Sequence, residues 1–71
     1  MSGKAKIRFI RLPEVMNVTG LSRSQVYKLE AQGGFPKRVK LGAITVAWIE
    51  AEITDWCERR IAERDESIRP R

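Results

Sequence analysis

The apolar positions of the chain change spacing after its first eleven residues. Residues 7–11 hold three apolar side chains interrupted by an arginine, which predicts a short strand. From Leu12 the apolar positions fall at i, i+3, i+4 and i+7, which predicts a short helix that reaches Thr19. Pro13 suits the first turn of that helix, and Gly20 ends it.

A second helix is predicted almost directly afterwards. Residues 22–25 read Ser-Arg-Ser-Gln, a capping box in which the side chains of Ser22 and Gln25 bond each other's free backbone N–H groups. We expect the helix to end near Gln32, before the glycine pair 33–34. Two short helices joined by a tight turn with glycine are typical of a helix-turn-helix, although an ordinary helical hairpin has the same pattern.

The second helix has one apolar side and one polar side. Val26 and Leu29 form the predicted buried side, and a helical wheel places Tyr27 on the opposite side, away from the core. The outward side carries no acidic residue and consists of types that bond base edges or phosphates. The candidate DNA contacts of this recognition helix are Ser22, Arg23, Ser24, Gln25, Tyr27 and Lys28.

A β-hairpin is predicted next, because residues 38–48 alternate with period two around Gly42-Ala43. Glycine in the first position of a two-residue loop predicts a type II′ turn, in which Leu41 pairs with Ile44 and Lys40 pairs with Thr45. One face is then apolar and holds Val39, Leu41, Ile44, Val46 and Trp48. The other face is basic, and together with the preceding lysine its candidate DNA contacts are Lys37, Arg38, Lys40 and Thr45. A basic hairpin after a helix-turn-helix predicts a winged helix-turn-helix.

A third helix is predicted from about Ile49. Acidic residues in its first turns suit the positive end of the helix dipole. Its apolar stripe passes through Ile53 and Trp56 and then reaches arginines, so we expect burial to stop near Cys57. A cysteine at that position is more typical of a small buried hydrophobe than of a redox thiol.

The predicted fold is mostly α with a small β-hairpin, arranged as a winged helix-turn-helix. We expect a flexible basic arm over residues 1–6, the DNA-binding domain over residues 7–58, and a charged helix end and tail over residues 59–71.

The amino-acid composition excludes several kinds of functional site. The 71 residues include one Cys and no His, which excludes a Ser-His or Cys-His nucleophile pair, a structural zinc site and an internal disulfide. No apolar run approaches the length of about 18 residues that a membrane-spanning helix needs. We therefore expect a cytoplasmic protein that is not an enzyme and that uses no metal or cofactor.

The net charge of +5 is unevenly distributed. Residues 1–48 carry nine basic and two acidic side chains, a net charge of +7, whereas residues 49–71 carry five basic and seven acidic ones, a net charge of −2. A basic surplus in the helix-turn-helix and hairpin is typical of proteins that bind a polyanion. A merely solubilising surface would account for the charge alone.

Four segments taken in order resemble the AlpA family of phage and prophage regulatory proteins. They read FIRLPEV at 9–15, TGLSRSQVYK at 19–28, FPKRVKLG at 35–42 and WIEAEITDW at 48–56, and the resemblance covers about residues 8–60. It implies a MerR-like, excisionase-related winged helix-turn-helix. By position, the family's recognition helix falls on residues 22–28 and its wing on residues 37–48.

One position departs from the family pattern. Many members have a basic residue just after the wing turn, where this chain has Ile44. Either the wing tip contributes less to phosphate binding than is usual, or Ile44 contacts a neighbouring subunit.

The expected function is that of a sequence-specific double-stranded DNA-binding transcriptional regulator of a phage, prophage or other integrative mobile element, acting at the bacterial nucleoid. An excisionase, or recombination directionality factor, is an alternative with the same interface. A protein-interaction module is a less favoured alternative. Further expected partners are a second copy of the chain, bound as a dimer or side by side on repeated sites, and RNA polymerase or a recombinase; no membrane partner is expected.

Overall fold

Helices and short strands alternate along the chain. The computed structural model describes residues 6–67. Its elements in order are β1 (Phe9–Ile10), α1 (Leu12–Thr19), α2 (Arg23–Ala31), β2 (Val39–Lys40), β3 (Val46–Ile49) and α3 (Glu50–Ser67). The predicted arm, apart from Lys6, and the last four residues of the predicted tail lie outside the described residues, and the predicted domain boundaries stay predictions.

The ends of α1 and α2 form as their local sequence predicted. Gly20 adopts the left-handed conformation with φ of 75°, and its N–H donates to the carbonyl of Met16. At the start of α2, the Gln25 N–H donates to Ser22 Oγ over 3.2 Å, and the Ser22 N–H donates to Gln25 Oε1 over 2.9 Å. Because one residue separates these two caps, α1 and α2 are joined by the tight turn of a helix-turn-helix.

The sheet has one strand more than the predicted hairpin. Its three antiparallel strands have the order β1-β3-β2, and β1 pairs with β3 through Phe9 with Ile49 and Ile10 with Trp48. Since Ile49 is held in this pairing, α3 begins at Glu50, one residue later than its sequence pattern predicted. Three helices and this small sheet make a winged helix-turn-helix.

The predicted register of the hairpin is wrong by one residue. Val39 pairs with Ala47 and Lys40 with Val46, so Lys40 does not face Thr45. A type II′ turn needs a positive φ at the first of its two central residues, and Gly42 is not among the described glycines with positive φ. The chain instead makes a longer loop, in which the N–H groups of Leu41 and Gly42 both donate to the Thr45 carbonyl.

The slip also overturns the predicted apolar face. Leu41 is 47% exposed and Ile44 at the loop tip is 93% exposed, although both were predicted to lie on the apolar face of the hairpin. Ala47 and Trp48 are fully buried neighbours on β3. Successive strand residues point to opposite faces, so both faces of the central strand are covered and simple alternation does not hold there.

The core takes a side chain from almost every element. It consists of Ile10, Val15, Val26, Phe35, Trp48 and Ile53. Val26 is fully buried, and burial of a side chain of this kind stabilises the fold by about 1.5–3 kcal/mol. Because Val26 fixes the rotation of α2 about its axis, the opposite side of α2 is held toward solvent.

Burial along α3 ends where the apolar stripe predicted. Ile53 is buried, Trp56 and Cys57 are half-buried, and residues 58–67 are all exposed. Among the described helices, none combines the length and the apolar character needed to span a membrane. Residues 6–67 also contain no cluster of three or more His, Cys, Asp or Glu side chains that could hold a metal ion.

Candidate nucleic-acid interface

The exposed side of α2 presents hydrogen-bond donors in its first two turns. Arg23, Ser24 and Lys28 are exposed, as their predicted outward position requires. Within residues 6–67, no carboxylate lies within 4.0 Å of the charged groups of Arg23 or Lys28. These cations are therefore available to an external anion.

Ser22 and Gln25 are committed to the capping box described above. Ser22 Oγ accepts the Gln25 N–H, and Gln25 Oε1 accepts the Ser22 N–H, so the oxygens of both side chains are already used. The amide nitrogen of Gln25 retains its two donors, since no described group accepts from it. Ser22 keeps its O–H donor, with Ser24 Oγ 3.4 Å from Ser22 Oγ, so both residues of the pair retain a side-chain donor.

Tyr27 does not lie where the helical wheel predicted. Its side chain is half-buried and packs against the core, with its ring centre 6.5 Å from that of Trp48. The guanidinium carbons of Arg38 and Arg23 lie 5.3 and 5.9 Å from the Tyr27 ring centre. Both distances are within the range of cation–π attraction, so the ring supports two arginines from α2 and from the segment before β2.

Arg38 forms an ion pair with Glu30 that the sequence pattern did not predict. Glu30 Oε1 lies 3.2 Å from Arg38 Nη1, and Glu30 Oε2 accepts the Arg38 backbone N–H over 2.7 Å. The Glu30 side chain is 11% exposed and that of Arg38 is 46% exposed. Arg38 is therefore a cation held in place, unlike the unpaired lysines beside it.

The remaining wing residues are divided between the two sides of the ribbon. Lys37 and Lys40 are exposed and have no carboxylate within 4.0 Å in the described part of the chain. Thr45 is half-buried, and the observed register separates it from Lys40. Of the four predicted wing contacts, Lys37 and Lys40 are the free cations, Arg38 is a paired one, and Thr45 is partly covered.

Ion pairing differs sharply between the two parts of the molecule. Each described arginine of α3 lies within 4.0 Å of an acidic residue of the same helix: Arg59 with Asp55, Arg60 with Glu63, and Arg64 with Asp65. Within residues 6–67, the cations without such a partner are Lys6, Arg11, Arg23, Lys28, Lys37 and Lys40. All of these unpaired cations precede α3.

Glu30 could have been noticed in the sequence. It is the single acidic residue between Glu14 and Glu50, and it lies three positions after Tyr27, which places both on one side of α2. The seven residues between Glu30 and Arg38 include two glycines and a proline. Their path decides whether the two side chains meet, and it cannot be read from local patterns.

Comparisons with known proteins place the chain in a family. The family described as "Prophage CP4-57 regulatory protein (AlpA)" matches residues 8–61. "Uncharacterized protein ORF88" of Enterobacteria phage P4 is 53% identical over 57 residues, which are 80% of this chain and 65% of that protein, so the chain spans slightly less than two thirds of this relative. "DNA-binding transcriptional activator AlpA" of Escherichia coli (strain K12) is 36% identical over 66 residues, which are 84% of this chain and 94% of that protein. The chain belongs to the AlpA family of prophage regulatory proteins.

Proposed function

We propose that this chain is a sequence-specific double-stranded DNA-binding transcriptional regulator of a phage, prophage or other integrative mobile element, and that it acts in the cytoplasm at the nucleoid. The relative from Escherichia coli is named as a DNA-binding transcriptional activator and is similar over most of both chains. The helix-turn-helix presents α2 with its polar side outward. Its nine residues span about 13 Å, which suits a major groove about 12 Å wide.

The separation of paired from unpaired cations carries this proposal. Cations without an internal partner can neutralise phosphates and release counterions, and both cations of α2 and the two wing lysines are of this kind, whereas Arg38 is paired with Glu30. The arginines of α3 are neutralised within their own helix. The unpaired positive charge therefore lies on α2 and the wing, and we expect a DNA duplex to bind there.

The side chains divide into base-reading and phosphate-binding groups. Arg23 lies in the first turn of α2, where helix-turn-helix proteins contact base edges, and its guanidinium suits bidentate bonding to guanine. Ser24 and the amide nitrogen of Gln25 supply further donors beside it. Lys28, Lys37 and Lys40 bind phosphates and set the register of the protein on the duplex.

A single module of this size makes a small interface. One such domain buries about 600–1,000 Å² of its surface on DNA, which limits the affinity of one copy for one site. We infer that the chain occupies repeated sites side by side or acts as a dimer. RNA polymerase is the partner through which a bound regulator would affect transcription.

Selection of fragments from the source genome by the purified chain tests this function. We expect a small set of enriched fragments that share a motif and overlap promoters, together with gel-shift affinities well above those for a scrambled duplex. Equal retention of all fragments would contradict sequence-specific binding and favour the protein-interaction module. Enrichment confined to recombination sites, with strong bending in circular-permutation assays, would favour the excisionase instead.

A further inference from the structure

Glu30 is an acidic residue in the part of the molecule that is otherwise rich in basic side chains. It is the single acidic residue of α2 and, as noted above, the single one from residue 15 to residue 49. An acidic side chain beside a DNA interface repels phosphates, so its presence lowers the affinity for any polyanion. We therefore expect Glu30 to have a role at the candidate interface other than contact with DNA.

Both oxygens of Glu30 are used on one partner. Oε1 faces the Arg38 guanidinium over 3.2 Å, and Oε2 accepts the Arg38 backbone N–H over 2.7 Å. The second contact joins the last turn of α2 to the backbone one residue before β2. Glu30 thus holds the start of the wing against the end of α2. Together with the Tyr27 ring, it also sets the direction in which the Arg38 side chain extends.

The contrast with Arg23 shows what this pairing changes. Both guanidiniums lie against the same Tyr27 ring, yet Arg23 has no carboxylate within 4.0 Å in residues 6–67, whereas Arg38 has one that is largely shielded from water. A phosphate must compete with Glu30 for Arg38, while it meets no such competition at Arg23. Shielding from water weakens the screening that would otherwise make an ion pair unimportant.

We propose that Glu30 is a specificity-determining positioning residue, which restrains Arg38 from binding DNA phosphates without regard to sequence and holds the wing in the position that recognition by α2 requires. This inference rests on the proposed DNA-binding function. Binding to random DNA depends on phosphate neutralisation, so Glu30 suppresses it directly. Binding to the cognate site also needs the wing and α2 in register, which Glu30 maintains.

The substitution Glu30→Gln separates charge from geometry. A glutamine carbonyl can still accept the Arg38 backbone N–H, but the negative charge is gone. We expect binding to a scrambled duplex to tighten by about two- to fivefold at low salt, consistent with release of a partly shielded ion pair. The slope of log K against log salt should steepen by about 0.9 for that duplex, the value for one added phosphate contact. Cognate affinity should rise less, so the ratio of cognate to scrambled affinity falls.

Two controls distinguish a restraint on Arg38 from simple loss of negative charge. Glu58→Gln removes one exposed carboxylate from α3 and should leave both affinities and the salt slope unchanged. In a double-mutant cycle with Arg38→Gln, Glu30→Gln should have no further effect on the salt slope, since Arg38 is the group it releases. An undiminished effect of Glu30→Gln in the Arg38→Gln background would overturn the restraint on Arg38.

The outcomes also separate this inference from the proposed function. If the wild-type chain binds the selected duplex specifically but Glu30→Gln leaves the specificity ratio and salt slope unchanged, Glu30 is a structural tie only, and the inference fails alone. Thermal unfolding of the variant checks that it is folded in either case. If the wild-type chain discriminates between no duplexes, the proposed function and this inference both fail.

Discussion

Among the individual residues, Arg23 differs from the neighbouring cations because its guanidinium lies in the first turn of α2 beside the Tyr27 ring. We expect Arg23→Ala to weaken binding to the cognate duplex by about 1–3 kcal/mol and to affect a scrambled duplex much less. Parallel gel-shift titrations of the two duplexes at one salt concentration measure this difference. Equal losses on both duplexes would assign Arg23 to a phosphate and not to a base.

Lys40 should behave in the opposite way. It is an exposed, unpaired cation on β2, so Lys40→Ala should weaken binding to all sequences alike and flatten the salt slope by about 1. Arg59→Ala is a matched control, because that cation is already paired with Asp55 on α3 and should leave the slope unchanged. A loss confined to the cognate duplex would contradict the phosphate assignment.

At the scale of elements, the stability of α2 depends on its capping box. Ser22→Ala removes the acceptor of the Gln25 N–H and should lower the free energy of unfolding by about 1 kcal/mol. For a domain of this length the melting temperature should fall by about 4–8 °C, which calorimetry or circular dichroism measures. Ser24→Ala is the control, since Ser24 lies inside the helix and accepts no backbone N–H; its Oγ lies 3.4 Å from Ser22 Oγ, so the change removes a hydroxyl contact but leaves the cap in place. An equal fall for both variants would show that the cap contributes nothing specific.

The helices were predictable because their signals are local. The N-cap at Ser22, the left-handed Gly20 and the turn between them depend on residues within one helical turn, and the structure has all three. The hairpin was predicted with the wrong register, because Gly42-Ala43 was assigned to a two-residue type II′ turn and the apolar alternation around it was taken to mark one face. On the central strand both Ala47 and Trp48 are buried, so the alternation that should set the register is lost.

The contacts that the sequence analysis missed join residues far apart in the chain. The pairing of β1 with β3 and the Glu30–Arg38 ion pair both depend on the path of intervening segments. Tyr27 was placed outward because a helical wheel of α2 considers one helix alone. The structure shows that its ring reaches Trp48 of another element. Residue types at the candidate interface were therefore predictable, whereas their pairing was not.

For the whole molecule, the charge distribution predicts that the end of α3 is dispensable for binding a single site. Ending the chain at Arg60 removes three basic and three acidic side chains, so the net charge stays at +5. Because residues 58–67 are exposed, the shortened chain should stay folded, with unchanged affinity and salt slope on one cognate duplex. Fluorescence anisotropy measures both quantities. A flatter slope would show that the removed residues contact DNA.

β3 is the central strand of the sheet but lies late in the chain, which affects when the chain can fold during its synthesis. Phe9 and Ile49 are paired neighbours separated by 40 positions, and Trp48 supplies a core side chain against α1 and α2. Isolated helices shorter than about 12–15 residues are only marginally stable in water, and α1 and α2 are both shorter than that. A ribosome adds about 5–20 residues per second, so for about 1–4 seconds the nascent chain contains the whole candidate recognition-helix segment, residues 22–28, without the strand that orders it. We therefore expect the emerging polypeptide to acquire the fold of the proposed DNA-binding surface in one late step, and fragments released before β3 should be targets for proteolysis.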